Sequence, residues 1–174
     1  MKLDDIKNYN YQGIARGIVE DLNNNINGRV ALNDMLQSTH VLYIIKNLLE
    51  DKCKTVLEIG TLWGGALLTM MQTEYKSKFV SVDMFEGFYP ELLGEGNGDQ
   101  NFGINTIELV DENIKNNNPY QHEYDLIKGS SHDTKVINYV KENYPKIDLL
   151  FIDGDHTKKG VLQDWEDYSD LVTK

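Results

Sequence analysis

The run Asp153-Gly-Asp155-His156 sets two carboxylates and an imidazole within four residues. Such a set can bind a hard divalent cation through oxygen, or divide its labour between a metal ligand and a base. The preceding segment, Ile147-Asp-Leu-Leu-Phe-Ile152, reads as a buried strand, and a parallel sheet carries its active site at the C-terminal ends of its strands. The plainer alternative is that Asp155 caps a helix starting near Lys158, with Gly154 making the turn. A second set lies upstream. Thr55-Val-Leu-Glu-Ile-Gly60 is an apolar strand with the acid Glu58 near its end, followed by Thr61 and by Gly64 and Gly65 at the head of a helix. Gly60 allows a sharp turn, and a strand-to-helix turn of this kind is expected to present free backbone N–H groups. Phe79-Val-Ser-Val-Asp83 is another apolar strand, ending in an acid 23 residues after Gly60, a place from which an acid commonly holds ribose hydroxyls. The two strands imply a nucleoside-binding half-fold.

The glycine spacing narrows the nucleoside. Dinucleotide sites use G-x-G-x-x-G, whose second glycine clears room for a pyrophosphate. Here the pattern is Glu58-x-Gly60-x-x-x-Gly64, and Leu62 stands where that second glycine would be. Leu62 would crowd a pyrophosphate, which disfavours an NAD-linked oxidoreductase, but would leave room for a methionine tail. This strand–turn–helix followed by Asp83 resembles the class I S-adenosylmethionine-dependent methyltransferases. The resemblance implies that Glu58 helps hold the ammonium of the methionine part, often through water, with Gly60, Thr61 and Gly64 around the cofactor and Asp83 on the ribose.

Composition bounds the rest. A chain of 174 residues is long enough for one α/β core, so residues 1–174 are expected to form a single domain, with a helical segment over 1–50 and a Rossmann-like core over 51–174. The net charge of −11, with no basic face evident, argues against a nucleic-acid partner. The single cysteine, Cys53, excludes an intrachain disulfide and suits a reducing compartment. The opening residues do not read as a signal peptide, and no apolar run approaches the roughly twenty residues that span a bilayer, so a cytoplasmic protein without a membrane partner is expected.

The elements that must position these residues alternate. An amphipathic patch around Ile14, Ile18 and Leu22 comes first. Helical periodicity then runs from Leu32 to Leu49, with Asn33 or Asp34 as caps. The spacing predicts strand 55–60, helix 64–74, strand 78–84, helix 104–117 stopped by Pro119, strand 124–129, helix 133–143, strand 147–152 and helix 158–172. This alternation reads as a parallel sheet with right-handed crossovers. The segment from Phe85 to Gly103 is glycine-rich and aperiodic, and Phe88, Tyr89 and Phe102 are expected to close over a substrate from it.

Phe151-Ile-Asp-Gly-Asp-His156 with Gly160, Asp164 and Trp165 is similar to the small-molecule O-methyltransferases related to the catechol and macrolide-sugar enzymes. That resemblance implies a Mg²⁺ ion on Asp153, orienting the hydroxyls of a small-molecule acceptor, and a general base at Asp155 or His156. It also implies that Gly129-Ser-Ser-His-Asp133 meets the adenine, through Ser131 and His132. The family's sheet has seven strands in the order 3-2-1-4-5-7-6, of which these residues supply 3-2-1-4. The residues expected to complete a metal site belong to the fifth strand. A non-catalytic nucleoside-binding or assembly domain is therefore one alternative, and a metal-dependent enzyme resembling cephalosporin hydroxylase is another. Strand 147–152 is apolar on both faces, yet lies at an edge in this order. A further segment or a second copy is expected to pair with it, giving a homo-oligomer in the latter case.

Overall fold

The computed structural model describes residues 9–28, 30, 36–85 and 105–173. Six helices and four strands, numbered in chain order, position the site: α1 (Tyr9–Asn25), α2 (Leu36–Leu49), β1 (Thr55–Ile59), α3 (Gly65–Met71), β2 (Lys78–Asp83), α4 (Ile107–Asn117), β3 (Glu123–Lys128), α5 (Thr134–Asn143), β4 (Leu149–Ile152) and α6 (Lys158–Tyr168). The strands form one parallel sheet in the order β3-β2-β1-β4, as expected.

Side chains alternate across a strand, so each face of the sheet collects every second residue. Val56 and Phe79 face a core built with Leu67, Leu68, Met70 and Met71 of α3 and Val110 and Ile114 of α4. Leu57, Ile59, Val80 and Val82 face the opposite core, with Val136 and Val140 of α5 and Tyr168 of α6. The result is a three-layer α/β/α arrangement. The central strands β1 and β2 are buried almost throughout, whereas β3 and β4 are mostly half-buried.

Some expected boundaries move. The start of the second helix, with Met35 and the caps Asn33 and Asp34, lies outside the described residues, as do Phe88, Tyr89 and Phe102. In α1 the packed stripe is Ala15, Val19 and Leu22, while Ile14 is exposed. Helix α3 stops at Met71 rather than near residue 74, and α6 gives way to a 3₁₀ turn at Ser169–Leu171. That turn delivers a partner to β4. The Ile147 N–H donates to the Leu171 carbonyl at 2.9 Å, the Thr173 N–H donates to the Ile147 carbonyl at 2.8 Å, and Ile147 and Val172 form a parallel bridge. The chain's own C-terminal residues thus pair at Ile147, just before β4, while among the described residues Leu149–Ile152 keeps its place at the edge of the sheet.

Candidate active site

Glu58, Ser81, Asp83 and Asp153 come together at the C-terminal end of the sheet because the register makes them neighbours. Glu58 lies opposite Ser81 across β1 and β2, and also opposite Phe151 across β1 and β4. Ser81 and Asp83 are two apart on one strand, hence on one face. The Ser81 hydroxyl donates to Glu58 Oε2 at 2.8 Å, and the Thr61 and Ser81 hydroxyls are hydrogen-bonded to each other. Glu58 is fully buried and its Oε1 has no hydrogen-bond partner among the described residues. Burial pushes its carboxyl from 4.5 up to about 8, opposed by the Ser81 hydrogen bond and reinforced by Asp153 and Asp83.

The turn above Glu58 is left-handed at three positions: Gly60 (φ 86°), Leu62 (φ 50°) and Gly64 (φ 82°). At Gly60 a side chain is excluded twice, because a Cβ there would also lie 2.4 Å from the Asp153 carbonyl oxygen. Of the backbone N–H groups expected to be free here, four in the turn itself are taken within the chain. Gly60 N–H donates to the Val82 carbonyl and Gly64 N–H to the Thr61 carbonyl, while the N–H groups of Thr61 (2.7 Å) and Leu62 (3.1 Å) both donate to Asp83 Oδ2. A buried carboxylate one strand away competes for these donors and takes them.

Asp83 is correspondingly occupied. Its Oδ1 accepts from Phe85 N–H at 2.8 Å and from the Asn105 amide at 3.3 Å. Asn105, buried and with its Oδ1 without a partner among the described residues, was not expected from the sequence, because it follows an aperiodic stretch that hides its proximity to Asp83.

At the end of β4, His156 Nε2 lies 3.1 Å from Asp153 Oδ1. Burial pushes the Asp153 carboxyl above its usual range, while His156 opposes the rise. Asp155 is turned into the loop. It accepts from Thr157 N–H (2.8 Å) and Thr157 Oγ1 (3.0 Å), and these bonds hold its carboxyl below the usual range. The cap of α6 is Thr157 rather than Asp155, accepting from Gly160 N–H at 3.0 Å.

After β3, Ser131 and His132 lie against α6. The Ser131 carbonyl accepts from the Tyr168 hydroxyl at 2.7 Å, and His132 Nδ1 faces Asp164 and Asp167. Asp164 and Asp167 are further residues whose placement the sequence reading did not assign. The four-residue spacing of Gly160, Asp164 and Tyr168, all buried on one face of α6, was the available signal. Among the described residues no group of three or more His, Cys, Asp or Glu side chains is placed to hold a metal ion, so Asp153 stands without the partners that a Mg²⁺ site needs.

A methyltransferase-domain family model matches residues 57–174, the larger part of the chain and the whole of this site. The chain belongs to that family. A protein of Acanthamoeba polyphaga mimivirus without an assigned function is 32% identical over 135 residues, covering 78% of this chain and 54% of its own length. Among solved structures, the fold is shared with the O-methyltransferase of Bacillus cereus in complex with SAH (15% identity, TM-score 0.56, 94% of this chain and 62% of that one). It is shared as well with the O-methyltransferase TomG of Streptomyces achromogenes in complex with SAM (12% identity, TM-score 0.57, 94% and 60%). The methyltransferase-domain chain thus spans little more than half the length of the relatives it matches.

Proposed function

We propose that this chain binds S-adenosylmethionine at the C-terminal ends of β1 and β2 and directs its methyl group to a hydroxyl oxygen of a small molecule. The observation that carries the reading is the buried, unpartnered Oε1 of Glu58 beneath the Gly60–Gly64 turn, in a chain of the methyltransferase family. The cofactors named with the solved relatives support it, and a TDP-rhamnose 3′-O-methyltransferase of the same fold supports a small-molecule acceptor.

Glu58, with Gly60, Thr61 and Gly64 around it, holds the methionine end. Asp83 exchanges its longest bond, to Asn105, for a ribose hydroxyl. Ser131 and His132 meet the adenine. The bound cofactor supplies an electrophilic methyl group on sulfur. Most of the rate gain then comes from holding the acceptor oxygen in line with that methyl, so that the new C–O bond forms as the C–S bond breaks. The acceptor's proton passes to His156. With Nε2 held by Asp153, Nδ1 is the nitrogen left to take it, a contribution of about 10²–10⁴ in rate. Asp155 supports that loop through Thr157.

Replacing Asp83 by Ala tests the reading. The lost charge-assisted bonds are each worth roughly 1.5–3 kcal/mol, so calorimetry with S-adenosylhomocysteine should show affinity about ten- to a hundredfold lower. Equal affinity for wild type and variant would sink the assignment. Transfer of a labelled methyl group separates catalysis from a domain that only binds. A cytoplasmic location goes with the reading, since a single cysteine suits a reducing compartment. Pairing of two copies along the rest of β4 also belongs to it, and sedimentation is the measure.

A further inference from the structure

Behind His132, on the buried face of α6, both carboxylate oxygens of Asp164 and Oδ2 of Asp167 lack a close hydrogen-bond partner among the described residues, the Ser131 side chain being the other polar group beside Asp164. His132 Nδ1 is also unpartnered, and it faces them at 3.4 Å from Asp164 Oδ1 and 3.6 Å from Asp167 Oδ2. The Asp164 side chain is fully buried, while those of His132 and Asp167 are about a quarter exposed, at 26% and 25%. Asp164 is therefore the fully buried member of the group, while His132 keeps part of its ring exposed. Tyr168, one turn further along α6, fastens the same loop through the Ser131 carbonyl.

Carboxylates accept and do not donate, so the ring nitrogen that faces them is the one that carries the proton. In a neutral imidazole the other nitrogen is then a lone-pair acceptor, the relation by which a carboxylate behind a histidine sets its tautomer. We propose that Asp164, assisted by Asp167, is a positioning residue that holds His132 as the Nδ1–H tautomer, so that Nε2 accepts a hydrogen bond from the exocyclic amino group of adenine. The inference rests on the cofactor reading given above and adds a specificity. A 6-oxo base would turn an acceptor toward an acceptor, leaving both unpaired, and is rejected.

The test combines two readouts on the intact chain. Two-bond ¹H–¹⁵N spectra of histidine-labelled protein at about pH 8, above the ordinary histidine value near 6.5, report which nitrogen bears the proton. Calorimetry compares S-adenosylhomocysteine with S-inosylhomocysteine. Wild type should show His132 protonated at Nδ1 alone, and should prefer the adenine ligand about ten- to a hundredfold, the span expected when one buried hydrogen bond is lost. Asp164→Asn removes an obligatory acceptor and lets an amide N–H face Nδ1. It should move the proton to Nε2 and abolish or reverse the preference, which a merely structural role for Asp164 would not do.

An Nε2–H or doubly protonated ring in wild type overturns the proposal, as does an unchanged tautomer and preference in Asp164→Asn. Equal binding of the two ligands by wild type overturns it too. If Asp164→Asn does not fold, the wild-type spectrum decides the tautomer and His132→Ala, expected to lose the preference, decides the specificity. Failure of wild type to bind either ligand would instead defeat the cofactor reading and the adenine contact with it, while the spectrum still decides whether Asp164 sets the tautomer.

Discussion

At the N-terminal ends of the strands, His122 receives a hydrogen bond from Ser77 N–H on Nδ1 (3.2 Å) and meets the Thr73 carbonyl through Nε2 (2.9 Å). Asp148 accepts from Lys54 and Thr55 N–H at 2.8 and 2.9 Å, and Ser77 donates to the Cys53 carbonyl. At the C-terminal ends the accounting fails. The buried side-chain atoms without a partner among the described residues, on Glu58, Asn105, His132, Asp164 and Asp167, all belong to that end. An unpaired buried polar group costs about 1–3 kcal/mol, so one end of the sheet is organised for stability and the other carries groups that a ligand would satisfy. The contrast supports the proposed site independently of any motif.

The largest way to break the contrast is at Gly60, where the turn of the unsatisfied end meets the end of β4. Gly60→Val adds a β-branched side chain at positive φ against the Asp153 carbonyl, and loss of the cooperative melt by circular dichroism is expected. Retention of a wild-type melting temperature would show that this end tolerates rearrangement.

A smaller effect separates the two ends by pH. In the folded chain Glu58 keeps its proton up to about 8, while an unfolded chain releases it near 4.5, so stability falls as pH rises through that window. At about 1.4 kcal/mol per pKa unit the loss amounts to a few kcal/mol. Glu58→Gln should match wild type at the acid end of the window and exceed it in urea unfolding above the upper value. Parallel curves for the two proteins would remove Glu58 from the account.

The smallest effect has the opposite sign. Burial holds the His122 imidazole below its usual pKa, so the folded state resists its protonation and loses stability as pH falls through the ordinary histidine range. His122→Ala should cost roughly 2 kcal/mol in the neutral range by leaving the Ser77 N–H and the Thr73 carbonyl unpaired, and should flatten that acid limb. A neutral substitution there would mean that the two ends do not differ as described.

Much of the sheet was legible because burial imposes its period directly on the chain. Val56, Leu57 and Ile59, then Phe79, Val80 and Val82, declare strands buried on both faces, and Glu58, Gly60, Gly64 and Asp83 stand at fixed distances from those strands. The expected order 3-2-1-4 is the order found. Boundaries were less legible where a local bond decides them. Thr106 and Thr157 cap α4 and α6 through single hydroxyl contacts with the backbone, and apolar periodicity does not encode such contacts.

What only the tertiary structure decided is the allocation of hydrogen bonds. From the sequence, Asp83 is an acid free to hold a ribose, and the glycine turn offers free donors. In three dimensions the acid and two of those donors, the Thr61 and Leu62 N–H groups, find each other. Asp155 and His156 are adjacent and equally eligible as bases until the fold turns one toward Thr157 and the other toward Asp153. Asp164 and His132 stand 32 residues apart and meet only because α6 packs beside the loop after β3. Sequence fixes which groups are present and on which face of a strand or helix they fall. Which donor each acceptor meets depends on the packing of elements distant in the chain, and a local period carries no record of that.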